Sequence, residues 1–220
     1  MSQERPAREI DAARPALETP PEPPIVAFDF DGTLTTRDSF TAFLKWRAGP
    51  TRYVLGFLRL VPSAAAYLFH RDRGRIKAAA VREYLRGVPR ERLEADARDF
   101  VERFSGSLLR PDAVAAWERW RREPVRLVIV TASPHLLVAP FARQLGADAV
   151  LGTELAFDAH DRVTGGFLTP NCRGAEKVVR LKAAFGPNLT LKAGYGDTSG
   201  DREMLAMAEI SGYRVFKSTP

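Results

Sequence analysis

The stretch Ile25-Val26-Ala27-Phe28 reads as a short buried strand ended by a turn at Gly32, and no second strand follows until Leu127. From Asp38 to about Glu123 the apolar residues recur at helical spacing, without strand-like alternation. Phe40, Phe43, Leu44 and Trp46-Arg47 mark a helix stopped at Gly49-Pro50. Tyr53 to Phe69 is strongly apolar but carries Arg59, and Pro62 is expected to break it. Arg75 to Leu85 and Arg90 to Leu108 give two amphipathic helices, and Asp112 after Pro111 opens another that carries Trp117 and Trp120. After Pro124 strands alternate with helices. Strands are expected at Leu127–Val130, Ala149–Leu151, Leu189–Ala193 and Tyr213–Phe216, and helices at Pro134–Leu145, Ala175–Phe185 and Arg202–Ala208. Glu154–Phe157 and Val163–Leu168, around Asp161 and Gly165-Gly166, suit a hairpin. The alternation argues for an α/β fold with a parallel sheet covered on both faces, interrupted after its first strand by an all-helical insertion.

Composition narrows the class further. With 45% hydrophobic and 27% charged residues the chain is neither wholly disordered nor low-complexity. Its single cysteine, Cys172, makes neither an internal disulfide nor a thiolate metal site, which fits a reducing compartment, and it reads as inert. No apolar run reaches about 18 residues without a charge, and the N-terminus lacks the apolar region of a secretory signal, so a cytoplasmic protein is expected. Residues 1–24, with Pro6, Pro15, Pro20, Pro21, Pro23 and Pro24, read as a disordered or polyproline-like leader. The net charge of +6 resides entirely in residues 38–115. Such a segment either attracts phosphate esters or anionic lipid headgroups, or is a solvated arginine-rich helical surface. His70, His135 and His160 lack metal-ligand spacing, and Trp117 and Trp120 read as helix packing rather than a stacking platform for bases, so no nucleic-acid partner is expected.

The chemistry sits in Phe28-Asp29-Phe30-Asp31-Gly32-Thr33-Leu34-Thr35, at the carboxyl end of the first strand, where doubly wound sheets place ligands. Two aspartates at i and i+2 repel each other unless a cation intervenes, and a hard oxygen-seeking metal suits them. The ends of the strands after Phe28, Val130 and Ala193 fall on one edge of a parallel sheet, so Asp29, Asp31, Thr131, Asp197 and Asp201 can share one cleft. Lys177 lies in the first turn of its helix, where the macrodipole disfavours a cation. That placement makes sense if the ammonium points at an anion.

Four ordered motifs carry a resemblance over residues 25–216: Asp29-Phe30-Asp31-Gly32-Thr33, Val130-Thr131-Ala132-Ser133, Lys177 within Gly174-Ala175-Glu176-Lys177, and Gly196-Asp197-Thr198-Ser199-Gly200-Asp201. In this set the chain resembles the haloacid dehalogenase-like (HAD) phosphatases. The resemblance implies a Rossmann-like core over residues 25–37 and 116–220, with a helical cap of the C1 type over residues 38–115. It implies Asp29 as the nucleophile that forms an aspartyl-phosphate and Asp31 as the acid and base. Mg²⁺ would be held by Asp29, Asp197, Asp201 and the backbone carbonyl of Asp31, with Thr131, Ala132 and Lys177 on the phosphoryl oxygens. Asp31 favours phosphatase over dehalogenase chemistry, since the family's dehalogenases lack an acid there.

The cap resembles that of the phosphoserine phosphatase-like branch, which implies a small phosphomonoester. Asp38 is then either a substrate contact or the N-cap of the first cap helix. Thr131-Ala132-Ser133-Pro134, Asn171 to Val178 and Ala193 to Asp197 also resemble the branch containing phosphatidylglycerophosphatase C, which implies a lipid phosphate. Tyr53 to Leu58 and Val61 to Phe69, flanked by Arg52, Arg71, Arg73 and Arg75, either dip into an anionic membrane interface at its inner face or pack among the cap helices. Outside phosphatase chemistry, the same residues suit a catalytically silent anion-binding module, or a phosphotransferase with a non-water acceptor.

Overall fold

The computed structural model describes residues 22–70 and 73–220, with side chains from 61 to 73 left aside. The proline-rich leader up to residue 21 lies outside the described residues. In chain order the elements are β1 (Ile25–Phe28), α1 (Ser39–Ala48), α2 (Pro50–His70), α3 (Arg73–Leu85), α4 (Arg90–Leu108) and α5 (Pro111–Trp120). There follow β2 (Arg126–Pro134), α6 (His135–Leu145), β3 (Ala149–Thr153), the hairpin β4 (Leu155–Phe157) and β5 (Val163–Phe167), α7 (Ala175–Phe185), β6 (Leu191–Gly196), the short α8 (Arg202–Leu205) and β7 (Ala208–Tyr213).

Five strands form one parallel sheet in the order β3-β2-β1-β6-β7. All four residues of β1 are buried because both faces are covered. Val26, Phe28, Leu127 and Ile129 face α5 and α6, meeting Trp117, Val138 and Phe141, while Ala27, Val128 and Val130 face α7 and α8 through Leu181, Met204 and Leu205. β1 lies between β2 and β6, with connections leaving in opposite directions, so its carboxyl end opens at the topological switch point of the sheet.

The helical insertion shares its core with the sheet. Phe43, Phe100 and Trp46 form a ring cluster, and Phe100 reaches Phe141 of the core helix α6 at 6.3 Å between ring centroids. The hairpin β4–β5 binds the insertion from the other side: the Gly87 N–H donates to Val163 O at 2.7 Å, and the Val163 N–H donates to Val88 O at 2.9 Å. α5 spans the 115/116 division and packs with the core, its Trp117 ring 5.1 Å from Phe28 and its indole N–H donating to Leu145 O.

Two expectations about the elements need correction. α2 runs unbroken through Pro62. Proline removes one intrahelical hydrogen bond without obliging a helix to end, and α2 is held along its length against α3. The last strand is Ala208–Tyr213, not Tyr213–Phe216. It is an edge strand with Ile210 and Tyr213 exposed, so its sequence lacks a buried apolar run, and α8 is correspondingly cut short at Leu205. Phe216 instead packs its ring on Tyr195 and Phe28.

Candidate active site

Asp29 follows β1 in sheet register: its N–H donates to Tyr195 O at 2.8 Å, so its position is set by the strand rather than by the loop. The chain then makes a single wide turn over Phe30–Leu34, with non-helical backbone at Asp31 and Gly32. Gly32 adopts φ +88°, and a Cβ there would collide with the Asp197 carboxylate. Glycine suits both demands, since the positive φ disfavours a side chain and the Asp197 carboxylate occupies the space one would need.

Asp197 and Asp201 come from the turn after β6. Asp201 closes a capping box: Oδ2 accepts from the Thr198 N–H at 2.8 Å and the Thr198 hydroxyl at 2.9 Å. Lys177, on the first turn of α7, is 1% exposed. Its Nζ donates to Asp29 Oδ1 (2.6 Å), Val130 O (2.6 Å) and Asp201 Oδ1 (2.7 Å), so all three ammonium hydrogens have acceptors within the protein. The ammonium at a helix start therefore points at anions, as its unfavourable place in the macrodipole suggested.

Asp29, Asp197 and Asp201 each offer a carboxylate oxygen within 4.8 Å of the others. Burial pushes the Asp29 carboxyl up to about 7, against the pull of Lys177. Asp197 is also raised, by burial and by Asp201. Burial would raise Asp201 too, but Lys177 and the Thr198 hydrogen bonds outweigh it and hold this carboxyl low. The three carboxylates crowd beside one ammonium, which binds Asp29 and Asp201, so a divalent cation would relieve their mutual repulsion. Asp197 Oδ1 is buried with no hydrogen-bond partner, a free lone-pair site. An all-oxygen donor set of this kind fits a hard ion such as Mg²⁺.

The Asp31 side chain stands apart from that cluster. Its Oδ1 accepts from the Ser39 N–H at 2.7 Å and its Oδ2 from the Ser133 hydroxyl at 2.5 Å. Burial raises its carboxyl and Asp38 adds to the rise, while Lys77 and the two serines oppose it. Thr131 is fully buried, and its Oγ1 accepts from the Ser133 N–H at 3.0 Å, leaving its own hydroxyl hydrogen free to donate. Ala132 lines the cleft. Asp38 is the N-cap of α1, its Oδ1 accepting from the Thr41 N–H at 2.7 Å, and the residue also lines the cleft.

The cleft, about 310 Å³, also contains residues that sequence reasoning missed: Lys77, Asn171 and Arg173. Lys77 extends its Nζ to 3.5 Å from Ser133 Oγ. Its signal was helix phase, because Ile76, Lys77, Ala80 and Tyr84 fall on one face of α3 and place the lysine inward. Arg173 binds the Thr198 and Ser199 hydroxyls and so braces the turn that presents Asp197. His135 is elsewhere, with Nδ1 3.5 Å from Glu154. Burial lifts the Cys172 thiol to about 11, which keeps it unreactive.

Comparison with known proteins bears on the fold and the family. The family model for haloacid dehalogenase-like hydrolases matches residues 26–206. The chain is 57% identical over 215 residues to the protein CicA of Caulobacter vibrioides, covering 97% of this chain and 96% of that one. Among solved structures, a protein of unknown function from Bordetella pertussis Tohama I superposes with a TM-score of 0.66 at 22% identity, covering 83% of this chain and 85% of that one. A phosphoserine phosphatase captured as a phospho-aspartyl intermediate analogue superposes with a TM-score of 0.55 at 18% identity, over 86% and 85% of the two chains. With its strand-end carboxylates, buried lysine and inserted helices accounted for over that same span, the chain belongs to the haloacid dehalogenase-like hydrolase family.

Proposed function

We propose that this protein is a Mg²⁺-dependent phosphomonoester hydrolase working through an aspartyl-phosphate on Asp29. The observation that carries the proposal is the division of the carboxylates into two groups. Asp29, Asp197 and Asp201 bring carboxylate oxygens within 4.8 Å of one another, with Lys177 bound to Asp29 and Asp201, while Asp31 is held apart by Ser133 and Ser39. The division supports Asp29 as the attacking group and Asp31 as the acid and base; burial raises both carboxyls, so the roles rest on position rather than on proton affinity. Asp29 attacks phosphorus and the P–O bond to the alcohol breaks. Asp31 gives its proton to the departing alkoxide, then takes one from the water that cleaves the acyl phosphate and releases inorganic phosphate. Thr131 and the backbone around Ala132 donate hydrogen bonds to the phosphoryl oxygens, and Lys177 offsets their charge. Asp29, Asp197 and the Asp31 carbonyl would hold Mg²⁺, with Asp201 as a direct ligand or a partner one step out, and the bound ion would supply charge neutralisation at the phosphoryl group.

Purified protein with Mg²⁺ should release phosphate from p-nitrophenyl phosphate, lose that activity in EDTA and regain it on adding Mg²⁺. Absence of turnover across a broad panel of phosphate esters would favour the anion-binding module, and product formed only with an added alcohol acceptor would favour the phosphotransferase. Gly32→Ala should lower kcat by about a hundredfold, since displacing the turn by an ångström misplaces both Asp31 and Asp197. A steady-state assay that finds kcat within threefold of wild type would count against the tight packing of Gly32 on Asp197 as a catalytic requirement.

The substrate is either a small phosphorylated metabolite or a lipid phosphate, and one observation favours an apolar partner. Val54, Leu55, Phe57 and Leu58 lie on one side of α2 and are each more than half exposed, beside Arg52 and Arg59. Tyr53 and Leu60 of the same helix instead pack against the core, and the side chains of Val61 to Phe69 lie outside the described ones. No helix among the described residues is long and apolar enough to cross a membrane, which confines any membrane contact by α2 to the surface.

A further inference from the structure

Beside the phosphate cleft lies a second hollow of about 360 Å³, part-open to solvent and lined by α1, α2 and α3. Its walls are Phe40, Leu44, Tyr53, Leu60, Ile76 and Ala80. Asp38 and Lys77 belong to both cavities and form the neck between them. We infer that this chamber is a subsite for a single apolar chain on the substrate's alcohol, whose phosphoryl group sits at Asp29. The inference rests on the phosphatase function proposed above and names the class of ester it acts on.

Three observations carry it. First, the chamber is held open by its own architecture. Gly56 lets α2 approach Tyr84, where a Cβ would lie 2.6 Å from the ring, and the Tyr84 hydroxyl donates to Tyr53 O at 2.7 Å. Arg52 and Arg59 both pair with Glu83, strapping α2 to α3 at 2.6 and 3.2 Å. Second, the hollow is open to the outside rather than sealed, so a chain has a way in, and its mainly apolar walls favour burying one. Third, its two charged groups, Asp38 and Lys77, are the residues it shares with the phosphate cleft, while Thr41, Tyr53 and Tyr84 supply its other polar atoms. A mostly apolar hollow of a few hundred Å³ with its charged groups toward a phosphate site suits a ligand with a tail and a head. A phosphoserine-sized ester would leave the chamber empty, and its volume suits one chain, not two. Phe57, more than half exposed, also lines the hollow.

The test is a chain-length series of ethyl, butyl, hexyl and octyl phosphate, each below its micelle concentration, assayed with Mg²⁺. Each methylene buried is worth roughly a three- to fourfold gain, so kcat/KM for octyl over ethyl phosphate should reach about a hundredfold or more. Ala80→Phe, which fills the chamber, should collapse that ratio to within about fivefold. Leu60→Gln, which makes its wall polar, serves the same purpose should the first variant fold poorly. A flat series with ethyl phosphate turned over would overturn the chamber while leaving the phosphatase function intact. Calorimetric binding of the same four esters to Asp29→Asn reads the chamber without turnover, so it decides the inference even if no ester is hydrolysed. Affinity that fails to rise with chain length there rejects it. Free octyl phosphate and lysophosphatidic acid in phosphatidylcholine vesicles separate a soluble ester from a membrane lipid as the source. In either arm, a long-chain advantage that survives Ala80→Phe rejects the inference.

Discussion

Asp29→Asn is expected to abolish turnover, by about 10⁴-fold or more in kcat, with the fold preserved. The substitution keeps the shape of the side chain and its contacts with Thr33 and Lys177 but removes the nucleophilic oxygen. Loss of structure will not account for the result, because the native carboxylate is a burden on the fold. Burial raises its pKa from 3.8 to about 7 despite Lys177, so the folded state favours the protonated form. In metal-free protein the cost of ionising Asp29 therefore develops as pH rises from about 4 to about 7 and is fully present above that. Asn carries no such cost. The Tm of Asp29→Asn relative to wild type in EDTA should accordingly climb over this interval and then level off. Retained phosphatase activity would remove Asp29 as the nucleophile, and a Tm difference independent of pH would contradict its buried, proton-retaining environment.

Lys177→Met should produce the largest loss of stability of any single change at the site. The ammonium is almost wholly buried and serves Asp29, Asp201 and the Val130 carbonyl at once. Removing it leaves two buried carboxylates without a counter-charge, a change that costs about 3–5 kcal/mol. At roughly 2–4 °C per kcal/mol for a chain of this size, Tm should fall on the order of 10 °C in EDTA. Mg²⁺ should recover part of that fall, since it brings positive charge to the same carboxylates. Lys177→Arg should not restore activity, because a planar guanidinium does not fit a point-charge site with three converging acceptors. Thermal unfolding with and without Mg²⁺ measures both effects. An unchanged Tm would show that the cluster does not depend on this ion pair.

The site was legible in the sequence to the extent that it is built from strand ends. Asp29, Thr131 and Asp197 each directly follow or end an apolar run, and in a parallel sheet such positions share one edge whatever the rest of the fold does. Asp201 is fixed locally, four residues after Asp197 in a capping box, and Lys177 by the start of its helix. The direction of the Asp31 carboxyl was not legible, because it depends on Ser39 and Ser133, which lie 8 and 102 residues away. Lys77 was missed for a related reason: a lysine on an arginine-rich helix looks solvated until the packing of α3 shows which of its faces turns inward. The misplaced last strand shows the same limit, since an edge strand draws its order from pairing with β6 rather than from buried side chains.

The chain's order of apolar runs, glycines and strand-end carboxylates by itself determined the α/β class, the interruption after the first strand and the residues that meet at the sheet edge. These features rest on short-range rules of periodicity and turn chemistry, which act wherever the local residues occur. Tertiary structure alone decided which carboxylates cluster around Lys177 and which one is set apart. It alone set the packing of α2 on α3 and the hollow left between them. Those outcomes depend on contacts between residues distant in sequence, where burial sets the charge states and the close fit of one helix on another sets the space that remains.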